Sequence, residues 1–341
     1  MKIVIIGAGW YGCYCAYLLQ NKYDLILIDK NNEIFDNSSY YNQNRLHLGY
    51  HYPRNFDTRN LCKKYFNTFK EKFPVTDKIE NNFYLISNKS LIDNQTFLSI
   101  YKYENYNVDV VKNEYFSNVD GDIFIVDEEV INSNKSKKFF IDNLKCKMLL
   151  NTKVENVNIE ETPHIITQNN KITCDLIIDC TYNFLNLSKK EYTYEKTISL
   201  LYVKNSDCDC DFKGMTIMDG DFCSLYPHDI NKNIFTLTDV EYTPLIKSNN
   251  IENINNFKLT DDILNNTISN MEKKITHYFN DFKKIFKYEG YFLSNKTKLI
   301  SGSDTRECNI ENFDNKLITV NCGKIIGIFE FEEYLKSMML L

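Results

Sequence analysis

Arginine is nearly missing from this chain. Of its 40 basic residues only four are arginine, Arg45, Arg54, Arg59 and Arg306, amid abundant Lys, Asn, Ile and Tyr. That imbalance resembles a codon bias, so each surviving arginine is expected where lysine cannot replace a planar fork. A basic surplus is missing too. The net charge of −6 leaves no surface for nucleic acid or anionic lipid. No apolar run reaches the roughly 18 residues of a membrane span, and with a strand pattern that begins at residue 2 no cleaved leader is expected. Eleven cysteines, an odd number without even spacing, predict free thiols in a reducing cytoplasm. Neither Cys13 and Cys15 nor Cys208 and Cys210 has a His or a second Cys pair at zinc-site spacing, so no metal is expected. Apolar residues are not scarce. At 43% hydrophobic and 14% aromatic over 341 residues, the chain can bury two cores.

Glycine is sparse as well, yet three of the 11 fall in the first twelve residues. Lys2 to Ile6 is a β-branched apolar run of the kind buried on both faces. Gly7, Gly9 and Gly12 follow with G-x-G-x-x-G spacing, then an apolar helical stretch from Cys13 to Leu19. A second run, Leu25 to Ile28, ends in Asp29. Each piece has a physical task in a dinucleotide-binding βαβ unit. Gly7 permits the tight turn, Gly9 lets backbone approach a pyrophosphate, and Gly12 lets helix and strand pack closely. The open N–H groups and positive dipole of the helix start then face the phosphates. Asp29 stands where a carboxylate takes ribose hydroxyls, which argues against a 2′-phosphate and for FAD or NAD over NADP. A glycine turn without ligand is the competing reading.

Downstream, residues 42–54 form a polar, aromatic loop holding His47, His51, Arg45 and Arg54, and a loop of this kind beside a nucleotide turn reads as a site loop. Asp57 to Phe73 reads as a helix stopped by Pro74, and Asn82 to Ser87 as a strand. The stretch to about Val126 mixes short strands with polar turns. A helix is expected from Asn132 to Leu144. Strands at 2–6, 24–28, 150–158 and 175–179 are expected in one parallel sheet, with ligand contacts at their carboxyl ends, Thr181 included. From 192 to 240 the chain is β-rich, with strands at 197–203, 214–218, 222–226 and 234–237, and Thr260 to Phe279 is an amphipathic helix. The last forty residues return to a strand, Lys316 to Asn321, a glycine-bearing turn and a closing helix from Phe329.

This layout resembles the D-amino-acid-oxidase-like group of FAD-dependent oxidoreductases. Gly7-Ala8-Gly9-Trp10-Tyr11-Gly12 with Asp29 is similar to that group's FAD fingerprint. Ser38-Ser39 and Asn44-Arg45-Leu46-His47 resemble the segment that passes the pyrophosphate and reaches the flavin ring. Val154 to Val157 is similar to the strand whose backbone meets the adenine, and Asp175 to Thr181 to the one ending near the diphosphate. Ser303 to Arg306 and Asn321 to Ile328 resemble the carboxy-terminal segment whose turn lies against the flavin. Where the group usually has an Arg-Pro dipeptide, Arg306-Glu307 stands here. The loop at 44–54 also resembles UDP-galactopyranose mutase in placement, without its Gly-Gly-His signature.

The resemblance implies an α/β plus α+β chain: a discontinuous Rossmann-type FAD-binding domain (1–80, 127–190 and 300–341) with a β-rich substrate domain (81–126 and 191–299) inserted. It implies FAD held by Gly7, Ala8, Gly9, Trp10, Tyr11, Gly12, Asp29, Lys30, Asn44, Arg45, Leu46, His47, Val154, Thr181, Gly323, Lys324, Ile325 and Ile326. With FAD present, the expected reaction is hydride removal from a C–N or C–O carbon of a small amine, amino acid or hydroxy compound. His47 and His51 would take a proton, and Arg54 or Arg306 would clamp an anion. Tyr50, Tyr52, Tyr226 and His228 would line the substrate side. A flavoenzyme without net oxidation, of the sugar-nucleotide mutase type, and a non-catalytic FAD-binding protein are the alternatives.

Overall fold

The first strand, Lys2–Ile6, is the centre of the molecule, and its β-branched residues from Ile3 onward are buried on both faces. The computed structural model describes residues 1–112, 114–205, 213–300 and 308–341. Lys2–Ile6 pairs in parallel with Leu176–Asp179 on one side and Asp24–Ile28 on the other. The full sheet of six strands runs Asn309–Phe313, Leu317–Asn321, Leu176–Asp179, Lys2–Ile6, Asp24–Ile28, Lys147–Leu149, antiparallel only at the first of these edges. This register sets Ile6, Ile28 and Asp179 side by side at the carboxyl end, where open α/β sheets bind ligands.

One face of this sheet is covered by helices. Trp10–Leu19, Phe56–Lys72, Ser133–Asn143 and Ile328–Ser337 contribute to one core around Ile3, Ile5, Leu27 and Ile178. Trp10 is its pivot, with ring contacts to Phe35, Phe69, Phe73 and Phe140 at 5.2–5.4 Å between centroids. The other face is covered by a small antiparallel sheet of Val154–Asn158, His164–Thr167 and Lys171–Thr173, packed through Val154 and Ile165 onto Val4, Ile6 and Ile28. This corrects the expectation that 150–158 joins the parallel sheet. Lys147–Leu149 takes that edge instead. Val154–Asn158 buries little beyond Val154, and a strand wetted on one face suits an antiparallel sheet better than a doubly covered parallel one.

A nine-stranded sheet makes the second layer. Asn82–Ile86 lies parallel to Gly214–Met218, which joins two distant pieces of chain in one sheet. Its longest pairing is the antiparallel ribbon of Tyr192–Lys204 with Phe286–Leu299. The helix Asp261–Tyr278, whose first turn is capped by the Thr260 hydroxyl, covers the sheet through Met271, Ile275 and Tyr278. Phe286–Leu299 and Asn94–Tyr103 are among the elements that escape sequence reading. Phe286–Leu299 interleaves Lys, Glu and Asn with its apolar residues and so looks like a loop. The helix Asn94–Tyr103 buries only Phe97 and Tyr101, too few positions to show a period.

Candidate functional site

Along the carboxyl ends of the parallel strands runs a cleft of about 1390 Å³, roofed by residues of the second sheet such as Glu195, Thr197 and Ser224. Its floor is the glycine turn. Gly7 has φ +98°, and a Cβ there would lie 2.7 Å from the Cys180 carbonyl oxygen. A Cβ on Gly12 would fall 1.7 Å from the Gly7 carbonyl, so helix and strand touch as the spacing predicts. At Gly9 the obstacle is softer, the Ser39 hydroxyl at 2.6 Å. That hydroxyl accepts the Trp10 N–H at 2.9 Å. The helix start carries no acidic residue in its first turn and no side-chain cap from Gly9, which leaves a positive dipole end open to the cleft.

Asp29 closes the neighbouring strand. Its carboxylate accepts the N–H groups of Ala8 at 2.7 Å and Asn31 at 2.9 Å while lining the cleft beside Lys30 and Val154. Thr181 donates its N–H to Asp179 at 2.9 Å. Asp179 is buried, and burial pushes its carboxyl up to about 6. From the far end of the chain, Gly323, Lys324 and Ile325 form the opposite wall, with the Tyr11 hydroxyl donating to the Lys324 carbonyl at 2.7 Å. A Cβ on Gly323 would meet nothing nearer than the Tyr182 hydroxyl at 3.8 Å. A long cleft with a helix start free of acidic side chains, a strand-end acid and a bare backbone turn opposite fits an FAD. Gly7 to Tyr11 would face its diphosphate, Asp29 and Val154 its adenosine end, and Gly323 to Ile325 its ring.

Beside this cleft lies a smaller cavity of about 170 Å³, lined by residues 42–47, His51 and 323–326. The arginine of this cavity, Arg45, is found paired. Arg45 is buried, and its NH1 reaches Glu128 at 3.2 Å, Tyr84 Oη at 2.6 Å and Thr216 Oγ1 at 2.8 Å. Its NH2 reaches Ser224 Oγ at 2.7 Å, and its plane lies 3.8 Å over the Tyr226 ring. Glu128, fully enclosed, also accepts the Leu48 N–H at 3.1 Å and faces His47 Nδ1 at 3.3 Å. Arg54 lines the main cleft but is ion-paired with buried Asp219. Asn44 and Leu46 are buried, the Asn44 amide donating to the Tyr40 carbonyl at 3.1 Å and to Ser133 Oγ. Ile326 is buried under the turn.

His51 borders both cavities. Its ring stacks on Phe222 at 4.6 Å and 18°, and its Nδ1 has no hydrogen-bond partner. Burial, then the His47 and Arg45 charges, push its pKa well below the usual value, so the ring is neutral and a proton acceptor at neutral pH. Lys324 also borders both. Its Nζ sits 4.2 Å from the Tyr52 ring centre, and desolvation together with Arg45 lowers its pKa to about 7.

The lysine shift has a measurable sign. The unfolded chain keeps this proton to about pH 10.4, whereas the folded chain releases it near 7. Over that window the unfolded state binds more protons, so folding stability rises with pH. Lys324→Met is expected to remove that contribution, raising stability at pH about 6 relative to wild type and losing the advantage by about pH 10. Urea unfolding of both proteins across this range checks it.

Three expected substrate-side residues lie elsewhere. Tyr50 is buried in an aromatic cluster with Tyr84, Tyr101 and Tyr106, Tyr226 is the platform beneath Arg45, and His228 packs on Phe292. Tyr52 does line the cleft. Arg306 falls outside the described residues. Glu128, Asp179 and Asp219 went unread in the sequence. The run Asp127-Glu128-Glu129 looks like a wet turn, and only the fold encloses its middle member.

Residues 2–91 match the family model described as FAD dependent oxidoreductase. The chain is 30% identical to the FAD-dependent monooxygenase FPY4 of Fusarium mangiferae, over 98% of this chain and 90% of that one. It is 25% identical to the FAD-dependent monooxygenase kojA of Aspergillus flavus, over 90% and 78%. Among solved structures, a glycine oxidase from Geobacillus kaustophilus superposes with TM-score 0.73 at 9% identity, covering 99% of this chain and 94% of that one. The FAD-bound L-alpha-glycerophosphate oxidase of Mycoplasma pneumoniae superposes with TM-score 0.73 at 15% identity, with the same coverage. Fingerprint, cleft and relatives agree: the chain belongs to the family of FAD-dependent oxidoreductases.

Proposed function

We propose that this enzyme oxidises a small neutral hydroxy compound or amine at a C–O or C–N carbon. The observation that carries this reading is the state of the arginines. Every described arginine already faces a carboxylate: Arg45 with Glu128, Arg54 with Asp219, Arg59 with Glu104. The planar fork that holds a substrate carboxylate bidentately is therefore used up at the Arg54 wall, where Nε and NH2 both face Asp219. Lys324, near its titration point at neutral pH, is a weak substitute.

FAD, when bound, supplies the hydride acceptor. The chain's residues supply the rest. His51 takes the proton of the substrate hydroxyl or amine, its plane fixed by the Phe222 stack. Glu128 holds His47 by Nδ1, 5.2 Å from His51 between ring centroids, and so sets the polarity behind it. The backbone N–H groups from Gly323 to Ile326 lead into a helical turn and would offset negative charge on the ring. We assign 1–80, 127–190 and 300–341 to the FAD-binding unit, and 81–126 with 191–299 to the substrate-facing one, supported by the two sheets. Nine free cysteines among the described residues suit a reducing cytoplasm, and no described helix is long and apolar enough to cross a membrane.

Matched substrate pairs test the reading: ethanolamine against glycine, glycerol against glycerate. Wild type is expected to be reduced by neutral or amine members with little response to the acids. Asp219→Ala takes a buried carboxylate from the Arg54 fork and is expected to shift the acid-to-neutral ratio of kcat/KM about tenfold or more toward the acid, worth about 1.4 kcal/mol. Wild type that prefers the acids would overturn the proposal. The curated relatives' name favours a second reading, monooxygenation, in which nicotinamide rather than substrate reduces the flavin. Rapid anaerobic flavin reduction by NADH or NADPH would select it.

A further inference from the structure

Two cysteines meet at the ring end of the cleft. Strands Asn309–Phe313 and Leu317–Asn321 pair antiparallel with Asn309 opposite Asn321, so the next step of the ladder sets Cys308 opposite Cys322. Directly opposed antiparallel residues hold their Cβ atoms about 4.5–5.5 Å apart, and a disulfide closes at about 3.5–4.5 Å. The two thiols are already hydrogen-bonded to each other, and neither is in a disulfide. Cys322 lines the cleft immediately before the Gly323–Ile325 wall. The Tyr11 hydroxyl lies beside its sulfur.

We propose that Cys308 and Cys322 form a redox-active dithiol that exchanges an electron pair with the bound flavin. In the forward direction two S–H bonds break and one S–S bond forms. Two electrons and one proton pass to the oxidised flavin, and the second proton passes to water. In reverse, a small thiol in solution reopens the disulfide by exchange and the electron pair becomes available to the flavin again. The surroundings divide the two sulfurs into unequal roles. Hydrogen bonding from Cys308, with further support from Tyr11 and the Lys324 N–H, holds the Cys322 thiol below its ordinary range despite burial. The hydrogen bond to Cys322 and burial hold Cys308 well above it. Cys322, on the cleft side, is thus the sulfur that loses its proton more readily, and Cys308 is its partner behind it. The pair gives this enzyme a store for a second electron pair beside the flavin, and a route by which thiols reduce it without nicotinamide. The proposal rests on flavin occupancy of the cleft.

Flavin content, read from visible absorbance, is therefore measured first, so that an empty cleft is told apart from an inert thiol pair. Air-oxidised holoenzyme is then titrated anaerobically with dithionite. Wild type is expected to take up two electron pairs per flavin, and Cys308→Ser and Cys322→Ser only one. Peptide mapping after alkylation is expected to show a linked pair spanning Cys308 and Cys322 in the oxidised protein and two alkylated cysteines after titration. Uptake of a single pair by wild type, alkylation of both thiols in oxidised protein, or flavin bonded covalently to Cys322 would each overturn the proposal. Should the serine variants fail to retain flavin, the wild-type titration and peptide map decide by themselves.

Discussion

Gly9→Val leaves the protein folded and strips it of flavin. The two halves of that expectation come from different contacts. A side chain at Gly9 enters the cleft floor, on the path between the helix start and the Gly323–Ile325 wall, where a pyrophosphate must approach the backbone. Its nearest neighbour is the Ser39 hydroxyl, the end of a small side chain that can rotate away. At Gly12 the corresponding neighbour is backbone at 1.7 Å, so Gly12→Val would unfold the unit and teach nothing about the ligand. For Gly9→Val we expect flavin affinity to fall at least a hundredfold, about 2.7 kcal/mol. The urea midpoint of the flavin-free protein should move little. Flavin absorbance after gel filtration and circular dichroism of the same sample check both halves. Retained flavin would mean that the fingerprint does not bind it.

The largest effect on stability is expected at Glu128. Glu128→Ala removes the only carboxylate paired with the buried Arg45 among the described contacts, together with an acceptor for Tyr84 Oη at 2.6 Å and for the Leu48 N–H. A buried charge left alone in this way costs about 3–5 kcal/mol. Arg45→Met in the same chain is expected to recover part of the loss, because the orphaned charge leaves with it. Equilibrium urea unfolding of the two singles and the double measures the coupling. A loss below about 1 kcal/mol for Glu128→Ala would place the pair in water, contrary to the structure. Because Glu128 also faces His47, the single variant should disturb the proton-accepting wall as well as the fold.

These residues also mark the boundary of what sequence can show. The first thirty residues were legible because each signal is local: a β-branched run, three spaced glycines, an apolar helix and a strand-end acid. The carboxy-terminal strand and turn were legible for the same reason, and the structure sets them opposite the fingerprint. The scarcity of arginine pointed at real sites, since Arg45, Arg54 and Arg59 all sit in bidentate or multiply bonded geometry. It could not reveal their partners. Asp219 lies 165 positions from Arg54 and Glu128 lies 83 from Arg45, and no short-range pattern encodes such pairings. The expected clamp is thereby turned into a neutralised wall. Tyr50 and Tyr226 failed as substrate contacts through burial, which their neighbours in sequence do not disclose. The strand at 154–158 was read correctly as a strand and placed in the wrong sheet, because periodicity reports faces and not partners.

On the proposed function, substrate itself delivers electrons to a flavin held in this cleft. Anaerobic mixing of the purified flavoprotein with the panel of matched neutral and acidic compounds, without nicotinamide or dithionite, tests it most directly. Loss of the oxidised flavin spectrum is expected with a neutral hydroxy compound or amine, as is suppression of that loss in His51→Phe, which keeps a ring against Phe222 and removes the proton acceptor. A flavin that stays oxidised with every member of the panel and bleaches only with NADH or NADPH would contradict it.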